Sequence, residues 1–203
     1  AADYESALRE QGCVVADYEA RRADVAAQVR AKAAELRGTA VIDEALLDEV
    51  SSLVEWPRAL AGRFDERFLE VPAEALISSM KQHQKYFHVV DATGALLPYF
   101  ITVSNIDSSD AQKVVDGNER VIRPRLTDAA FFFAQDKQST LEARRERLRS
   151  IVFQTALGSI WDKTERVAGL ARTIGAQLGA DPALCARAAQ LSKSDLVSEM
   201  VLE

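Results

Sequence analysis

The chain has 203 residues, 48% hydrophobic and 28% charged, enough apolar material to bury a core in one or two domains. A mean hydropathy near zero and the lack of a long apolar run exclude a transmembrane helix, and the opening AADYESALRE has neither the basic nor the apolar segment of a signal peptide. Two distant cysteines, Cys13 and Cys185, point to free thiols in a reducing cytoplasm and away from a disulfide framework.

No initiator Met opens the sequence, which reads as a piece of a longer protein. The net charge of −6 is unevenly spread: residues 1–76 carry 9 basic against 16 acidic groups, residues 113–172 carry 12 against 8. Local positive charge is what a phosphate backbone needs, so the second stretch permits a nucleic-acid contact; a solvated helical face with interspersed ion pairs fits it equally.

From Tyr4 to about Leu36 the Ala-, Arg- and Glu-rich sequence predicts a helix, with Gly38 as its terminator. Asp43 caps a second helix, whose Leu46, Leu47, Val50, Leu53 and Val54 make one apolar stripe, ended by Trp56-Pro57. An extended piece follows around Leu60–Phe64, then a short helix through Leu76, Ile77 and Met80 with Pro72 in its first turn. Lys85–Val90 and Leu96–Val103 flank the turn Asp91-Ala92-Thr93-Gly94 and predict a β-hairpin. Pro98 lacks a donor, which places the returning strand at an edge or Pro98 at a bulge.

Beyond Asn105 the pattern turns helical: Asp110–Ile122 is one helix, and Thr127 caps another carrying Phe131, Phe132 and Phe133. The last third reads as entirely helical. Ser139 with Glu142 makes a capping box, Gly158-Ser159 a break, Ile160–Leu178 an amphipathic helix closed by Gly179, and Asp181-Pro182 the start of a helix with Leu184, Ala188 and Leu191 on one face. The class is therefore α+β, mostly helical with a small central antiparallel sheet or hairpin. Two domains are expected, 1–138 with the hairpin and a helical 139–203.

Signatures of chemistry are missing: there is no glycine-rich phosphate loop, no GxSxG elbow and no CxxC pair. His83 and His88, the only histidines, lack carboxylate or cysteine neighbours at ligand spacing. They read as one exposed and one packed along the hairpin. Arg120, Arg123 and Arg125 surround Pro124 and should fan out from a helix end, where guanidinium groups can grip phosphate bidentately. Alternatively they pair with Asp116, Glu119, Asp128 and Asp136 to lock two helices. Of Phe131–Phe133, about 100° apart on a helix, at least two are expected in the core. Arg144, Arg145, Arg147 and Arg149 form a second basic cluster; Arg145 and Arg149 share a face, while Leu141, Leu148 and Ile151 face inward. A solvated face is its plain interpretation and an RNA-facing surface the sharper one.

In order, GRFDERFLEVPAEALISSM, MKQHQKYFHVVD, LLPYFITVSNI, GNERVIRPRLTDAAFFFAQD, FQTALGSIWDKTERV and LSKSDLVSEMV resemble the β subunits of the bacterial tetrameric glycyl-tRNA synthetases. The resemblance runs from about Asp17 onward and covers only a piece of that long subunit. It implies a ligase component that works with an α subunit, with tRNA(Gly) and with the remainder of β in the cytoplasm. ATP and Mg would be used on the α subunit, and this piece would hold no cofactor, metal or catalytic residue. Candidate tRNA contacts are then Arg120, Arg123, Arg125, Arg144 and Arg145. The final helices also resemble the opening of an HD-type phosphohydrolase domain, with Ala188-Ala189-Gln190-Leu191 followed by Ser192 and Lys193 where that fold carries a His-Asp metal pair. A hydroxyl and an ammonium cannot replace those ligands, so a degenerate domain is implied. An active HD phosphohydrolase and a purely structural helical interaction module are the competing possibilities.

Overall fold

A computed structural model describes residues 2–202, which pack as two compact units, Ala1–Ala130 and Phe131–Glu203. The class is α+β, mostly helical around a small antiparallel sheet.

In the first unit the helix expected over residues 4–36 is two. Helix α1 (Ala2–Gly12) ends at Cys13, which takes a φ of 52°. Helix α2 (Tyr18–Glu35) restarts because the Asp17 carboxylate accepts the Ala20 N–H at 2.7 Å. At its far end Arg37, not Gly38, adopts the left-handed backbone (φ 57°), and the Arg37 and Gly38 N–H groups close onto the Ala34 and Ala33 carbonyls, both at 3.0 Å. Gly38 serves a different need: a Cβ there would run into Val89 and lie 2.8 Å from Leu97.

Strands β1 (Thr39–Ala40), β2 (Arg58–Arg63), β3 (Phe87–Val90) and β4 (Leu96–Ser104) form an antiparallel sheet in the order β1-β3-β4-β2. The expected hairpin is β3–β4, its turn held by the Asp91 carboxylate, which accepts the Thr93 and Ala95 N–H groups at 2.8 and 3.0 Å. What sequence took as a bare extended piece is β2, paired along its whole length from Arg58↔Ser104 to Arg63↔Tyr99. That makes β4 an interior strand, not an edge. Pro98 is accommodated where the β3–β4 register slips between His88↔Phe100 and Val90↔Leu96, and its carbonyl still accepts the Phe64 N–H at 3.0 Å.

One core forms where α2 and helix α3 (Glu44–Leu53) meet the sheet: Val25, Val29, Leu46, Leu47 and Val50 pack with Ala59, Phe87, Val89 and Ile101. Asp43 caps α3 as expected, accepting the Leu46 N–H at 2.9 Å, but Leu53 leaves the stripe at 63% exposure. Pro72 precedes helix α4 (Ala73–Ser78), which continues as a π turn over Ser79–His83 and buries Met80. Tyr86 stacks on Phe100 at 4.4 Å between centroids, and its hydroxyl donates to Asn118 Oδ1 at 2.6 Å. Burial pushes the Tyr86 phenol up to about 12.

Asn118 belongs to helix α5 (Ala111–Asp136), a single helix where two were expected. Pro124 lies inside it at a cost of about 3 kcal/mol. Ile122 and Leu126, on either side of Pro124, are wholly buried. At roughly 1.5–3 kcal/mol for each fully buried aliphatic side chain, those two offset the proline and keep the helix continuous. Thr127 therefore does not cap; its hydroxyl donates back to the Arg123 carbonyl at 2.9 Å.

The second unit is less purely helical than its sequence suggests. Thr140, one residue past the expected Ser139, caps helix α6 (Leu141–Arg145), accepting the Ala143 N–H at 3.2 Å. A 3-10 turn over Glu146–Ser150 leads into a two-stranded hairpin, β5 (Val152–Gln154) with β6 (Gly158–Ser159). Ser159 and Asp162 form a capping box that starts helix α7 (Ile160–Gln177), closed by Gly179 at φ 74°. Helix α8 (Pro182–Leu191) starts from Asp181-Pro182 as expected, the Asp181 carboxylate accepting the Ala183 N–H at 2.8 Å. A 3-10 turn over Ser194–Val197 and a short helix α9 (Glu199–Leu202) follow.

Candidate functional site

The two basic clusters meet opposite fates. Arg120, Arg123 and Arg125 sit on the middle of α5, all exposed, and none makes an ion pair among the described residues. Three of the carboxylates expected to hold them are engaged elsewhere. Glu119 accepts the Arg63 main-chain N–H at 2.9 Å, Asp116 the Gln112 amide at 2.8 Å, and Asp136 belongs to the second unit's interior. Because the helix does not break at Pro124, the arginines do not fan from a helix end. Arg120 and Arg123 lie about 60° apart on one side of α5, and Arg125 points about 140° away from Arg120.

Arg144 and Arg145 are not on a solvated face; each is only 8% exposed. Arg144 donates to the Asp136 carbonyl and lies 3.1 Å from Asp136 Oδ1. The same carboxylate accepts the Glu199 and Met200 N–H groups at 2.9 and 3.0 Å, so the pair also caps α9. Arg145 pairs with Glu165, reaches Glu142 at 3.7 Å, and lies over the Trp161 ring 3.8 Å from its centroid. Arg149 lies over the same ring at 3.6 Å. The shared face of Arg145 and Arg149 was visible in their spacing, but nothing local announced that Trp161 would occupy it. Leu148 is buried as expected, whereas Leu141 is 46% exposed.

The aromatic triplet is not the expected core: Phe131 is 56% exposed and meets Phe132 edge-on at 5.5 Å, while Phe132 and Phe133 are half-buried. His83 is exposed and His88 half-buried along β3, as the sequence predicts. Burial, and then the charge of Lys81, hold the His88 imidazole below its ordinary value. Lys81 itself bonds Asp43 at 2.6 Å and lowers that carboxyl. Among the described residues no three His, Cys, Asp or Glu side chains are placed to hold a metal ion. At the end of α8, the Ser192 hydroxyl donates to the Ala189 carbonyl at 2.8 Å.

Sequence reasoning missed the largest feature of the second unit. Helices α7 and α8 meet through small side chains, with Ala168, Gly175, Ala186 and Ala189 buried. A Cβ on Gly175 would lie 2.6 Å from Cys185 Sγ, so only glycine permits that approach. The large apolar side chains point the other way: Val167, Leu170, Ile174 and Leu178 on α7, and Leu184 on α8, are exposed, from 40% at Val167 to 79% at Leu178. The 167-170-174-178 spacing makes one helical stripe. Of this stripe Val167, Ile174 and Leu178, with Ala171 and Ala188, line an open, almost wholly apolar groove of about 540 Å³. Contiguous exposed apolar surface of this kind marks interaction sites in soluble proteins.

The chain is a mostly helical scaffold around a small sheet, with an open apolar groove on α7 and α8 and exposed arginines on α5. All of residues 1–203 match the family model described as "Glycyl-tRNA synthetase beta subunit", and the chain belongs to that family. It is 60% identical over 202 residues to the "Glycine--tRNA ligase beta subunit" of Hahella chejuensis, and 61% over 203 residues to that of Marinobacter nauticus. The Chromohalobacter salexigens protein of the same name is 58% identical over 201 residues. These matches cover 99–100% of this chain and 29% of each relative's length.

Proposed function

We propose that this chain is a non-catalytic scaffold of glycine–tRNA ligase. In this proposal it helps assemble the enzyme and position tRNA(Gly), while ATP- and Mg-dependent glycylation takes place on the α subunit in the cytoplasm. The observation that carries the assembly role is the outward-facing stripe of α7 with Leu184. The occupant it fits best is the remainder of the β polypeptide, because the relatives are more than three times as long as this chain. A groove between two helices that meet through small residues suits a third helix laid along it.

Placing Glu at Leu170 and at Ile174 in the full-length β subunit tests this. Both side chains are exposed here, so the 203-residue chain alone should keep its melting temperature within about 2 °C, the scale of surface substitutions. The full-length variant should lose stability or fail to form the α/β complex. A full-length variant that assembles and melts like the wild type refutes the docking role.

The tRNA role is supported by Arg120, Arg123 and Arg125, which are exposed and make no ion pair among the described residues. In the same enzyme, protection of α5 from hydrogen exchange or cleavage on adding tRNA supports it, and unchanged protection counts against it.

A further inference from the structure

Between the π turn over Ser79–His83 and strand β3 the chain reverses at Lys85, which takes the left-handed backbone (φ 58°). The reversal delivers Tyr86 to the face of the sheet that meets α5, and the Tyr86 N–H bonds the Met80 carbonyl at 3.0 Å. On that face Gly62 and Phe100 are cross-strand partners, and a Cβ on Gly62 would run into the Phe100 ring. Its absence lets Phe100 lie over β2, wholly buried and stacked with Tyr86. Tyr86 is 2% exposed, so its hydroxyl must find an acceptor inside the protein. That acceptor is Asn118 Oδ1, at 2.6 Å.

Asn118 is the polar member of an otherwise apolar row. Val114, Ile122 and Leu126 share its four-residue spacing along α5, and Ile122 and Leu126 are wholly buried. Apolar burial is non-directional, so such a row could settle one helical turn, about 5.4 Å, away from its place. One buried polar pair removes that freedom, because any other register leaves the Tyr86 hydroxyl facing hydrocarbon. Asn118 Nδ2 donates to the Val114 carbonyl of its own helix at 2.7 Å, which leaves Oδ1 turned to Tyr86. Glu119, about 100° further round the helix, accepts the Arg63 main-chain N–H at 2.9 Å. The next N–H, of Phe64, turns to the Pro98 carbonyl of β4, so the Arg63 N–H points outward from the open edge of β2. Two contacts in different directions fix both the translation and the rotation of α5. Arg120 and Arg123, both exposed, stand about 200° and 140° round the helix from Asn118, away from the sheet.

We propose that Asn118 and Glu119 are positioning residues for tRNA: by pinning α5 to the start of β3 and to the end of β2, they set where Arg120 and Arg123 meet the phosphate backbone. The proposal rests on the tRNA role above and adds the device that holds its arginines in place. A slip of one turn carries both guanidinium groups about 5.4 Å, beyond the reach of a hydrogen bond. Phosphate contacts place a nucleic acid without reading its sequence, so affinity and its salt dependence are the properties the two pins govern.

The test uses the complete α/β enzyme and the variants Asn118→Leu, Tyr86→Phe, Glu119→Leu, the conservative Glu119→Gln, and an Arg120→Gln/Arg123→Gln pair. For each, tRNA affinity is measured across a salt series, together with the KM of glycine and of ATP and the melting temperature. Asn118→Leu and Glu119→Leu should weaken tRNA binding about tenfold, the scale of one charge-assisted hydrogen bond, and flatten the slope of log affinity against log salt. The KM values of glycine and ATP should stay at wild type. Tyr86→Phe removes only the hydroxyl and carries the same expectation, which keeps the proposal testable if Asn118→Leu does not fold. Combined with Asn118→Leu it should add little, because both delete one bond. Glu119→Gln keeps the accepting oxygen and should bind as wild type. If the pin variants lower the melting temperature but leave tRNA affinity and slope unchanged, the positioning role is refuted, and the tRNA role stands where the arginine pair weakens binding. If the arginine pair changes neither affinity nor slope, both roles fall. If the pin variants raise the KM of glycine or ATP as much as they weaken tRNA binding, the damage is general and the positioning role is likewise refuted.

Discussion

Asp136 is the residue on which the second unit should depend most. Its side chain is 12% exposed, faces Arg144 (10% exposed) at 3.1 Å, and accepts the Glu199 and Met200 N–H groups. Asp136→Ala leaves a buried guanidinium without its counter-charge and strips the cap from α9. Removing one member of a buried pair costs about 3–5 kcal/mol, because the remaining charge stays desolvated. A unit of this size loses roughly 4–8 °C per kcal/mol, so a fall of at least about 12 °C in its melting transition is expected. The two tryptophans divide between the units, Trp56 in the first and Trp161 in the second, so a Trp56→Phe background lets fluorescence follow the second unit alone. Replacing both partners, Asp136→Leu with Arg144→Met, should recover the part of the loss due to the uncompensated charge, since an apolar pair carries no desolvation cost, while the lost cap of α9, about 1 kcal/mol, remains. A single variant costing less than about 1 kcal/mol, or a double variant no better than the single, would show that Arg144 finds water or another acceptor and that the pair does not organise the unit.

Two further outcomes follow from the packing. Trp161→Leu removes the ring over which Arg145 and Arg149 lie, and should cost about 1–3 kcal/mol of second-unit stability in urea melts; Arg149→Ala, on an arginine whose side chain is 55% exposed, should cost less than about 1 kcal/mol. His88 has its imidazole held below the ordinary value of about 6.5 by burial and Lys81, against the opposing pull of Asp43. Protonation therefore favours the unfolded state. The His88 contribution is complete above about pH 6.5 and declines as pH falls from there toward the lower folded-state value. His88→Gln should flatten that decline in Trp56-monitored unfolding, and an unchanged pH profile would assign the acid sensitivity to the carboxylates.

What the sequence disclosed was what is decided within a few residues. Asp43, Asp181 and the Asp91–Gly94 turn each act on N–H groups two to four positions away, so their chemistry is written beside them. Strand β2 was legible only as an extended piece around Leu60–Phe64, because RALAGR has no β-branched or aromatic residue; its place in the sheet comes from β4 beside it, about forty residues later. Pro124 and Thr127 carry local signals to stop and restart a helix, yet the buried Ile122 and Leu126 outweigh them. Leu184 reads as a core residue from its spacing, and nothing in that spacing distinguishes a face packed within the unit from one left open for docking.

The arginines make the same point about the candidate site. Arg120–Arg125 and Arg144–Arg149 are near-identical as composition, and on composition either could meet a phosphate backbone. Their fates separate because of partners supplied from a distance. Arg145 is drawn inward by Glu165 and Trp161, and Arg144 by Asp136, which is itself held by the backbone of α9 more than sixty residues further on. Arg120 and Arg123 make no ion pair among the described residues, while Asp116 accepts the Gln112 amide and Glu119 the Arg63 main-chain N–H at the end of β2. Here Glu119 ties α5 to the end of β2 through the Arg63 main-chain N–H, a contact between residues 56 positions apart that no local spacing announces.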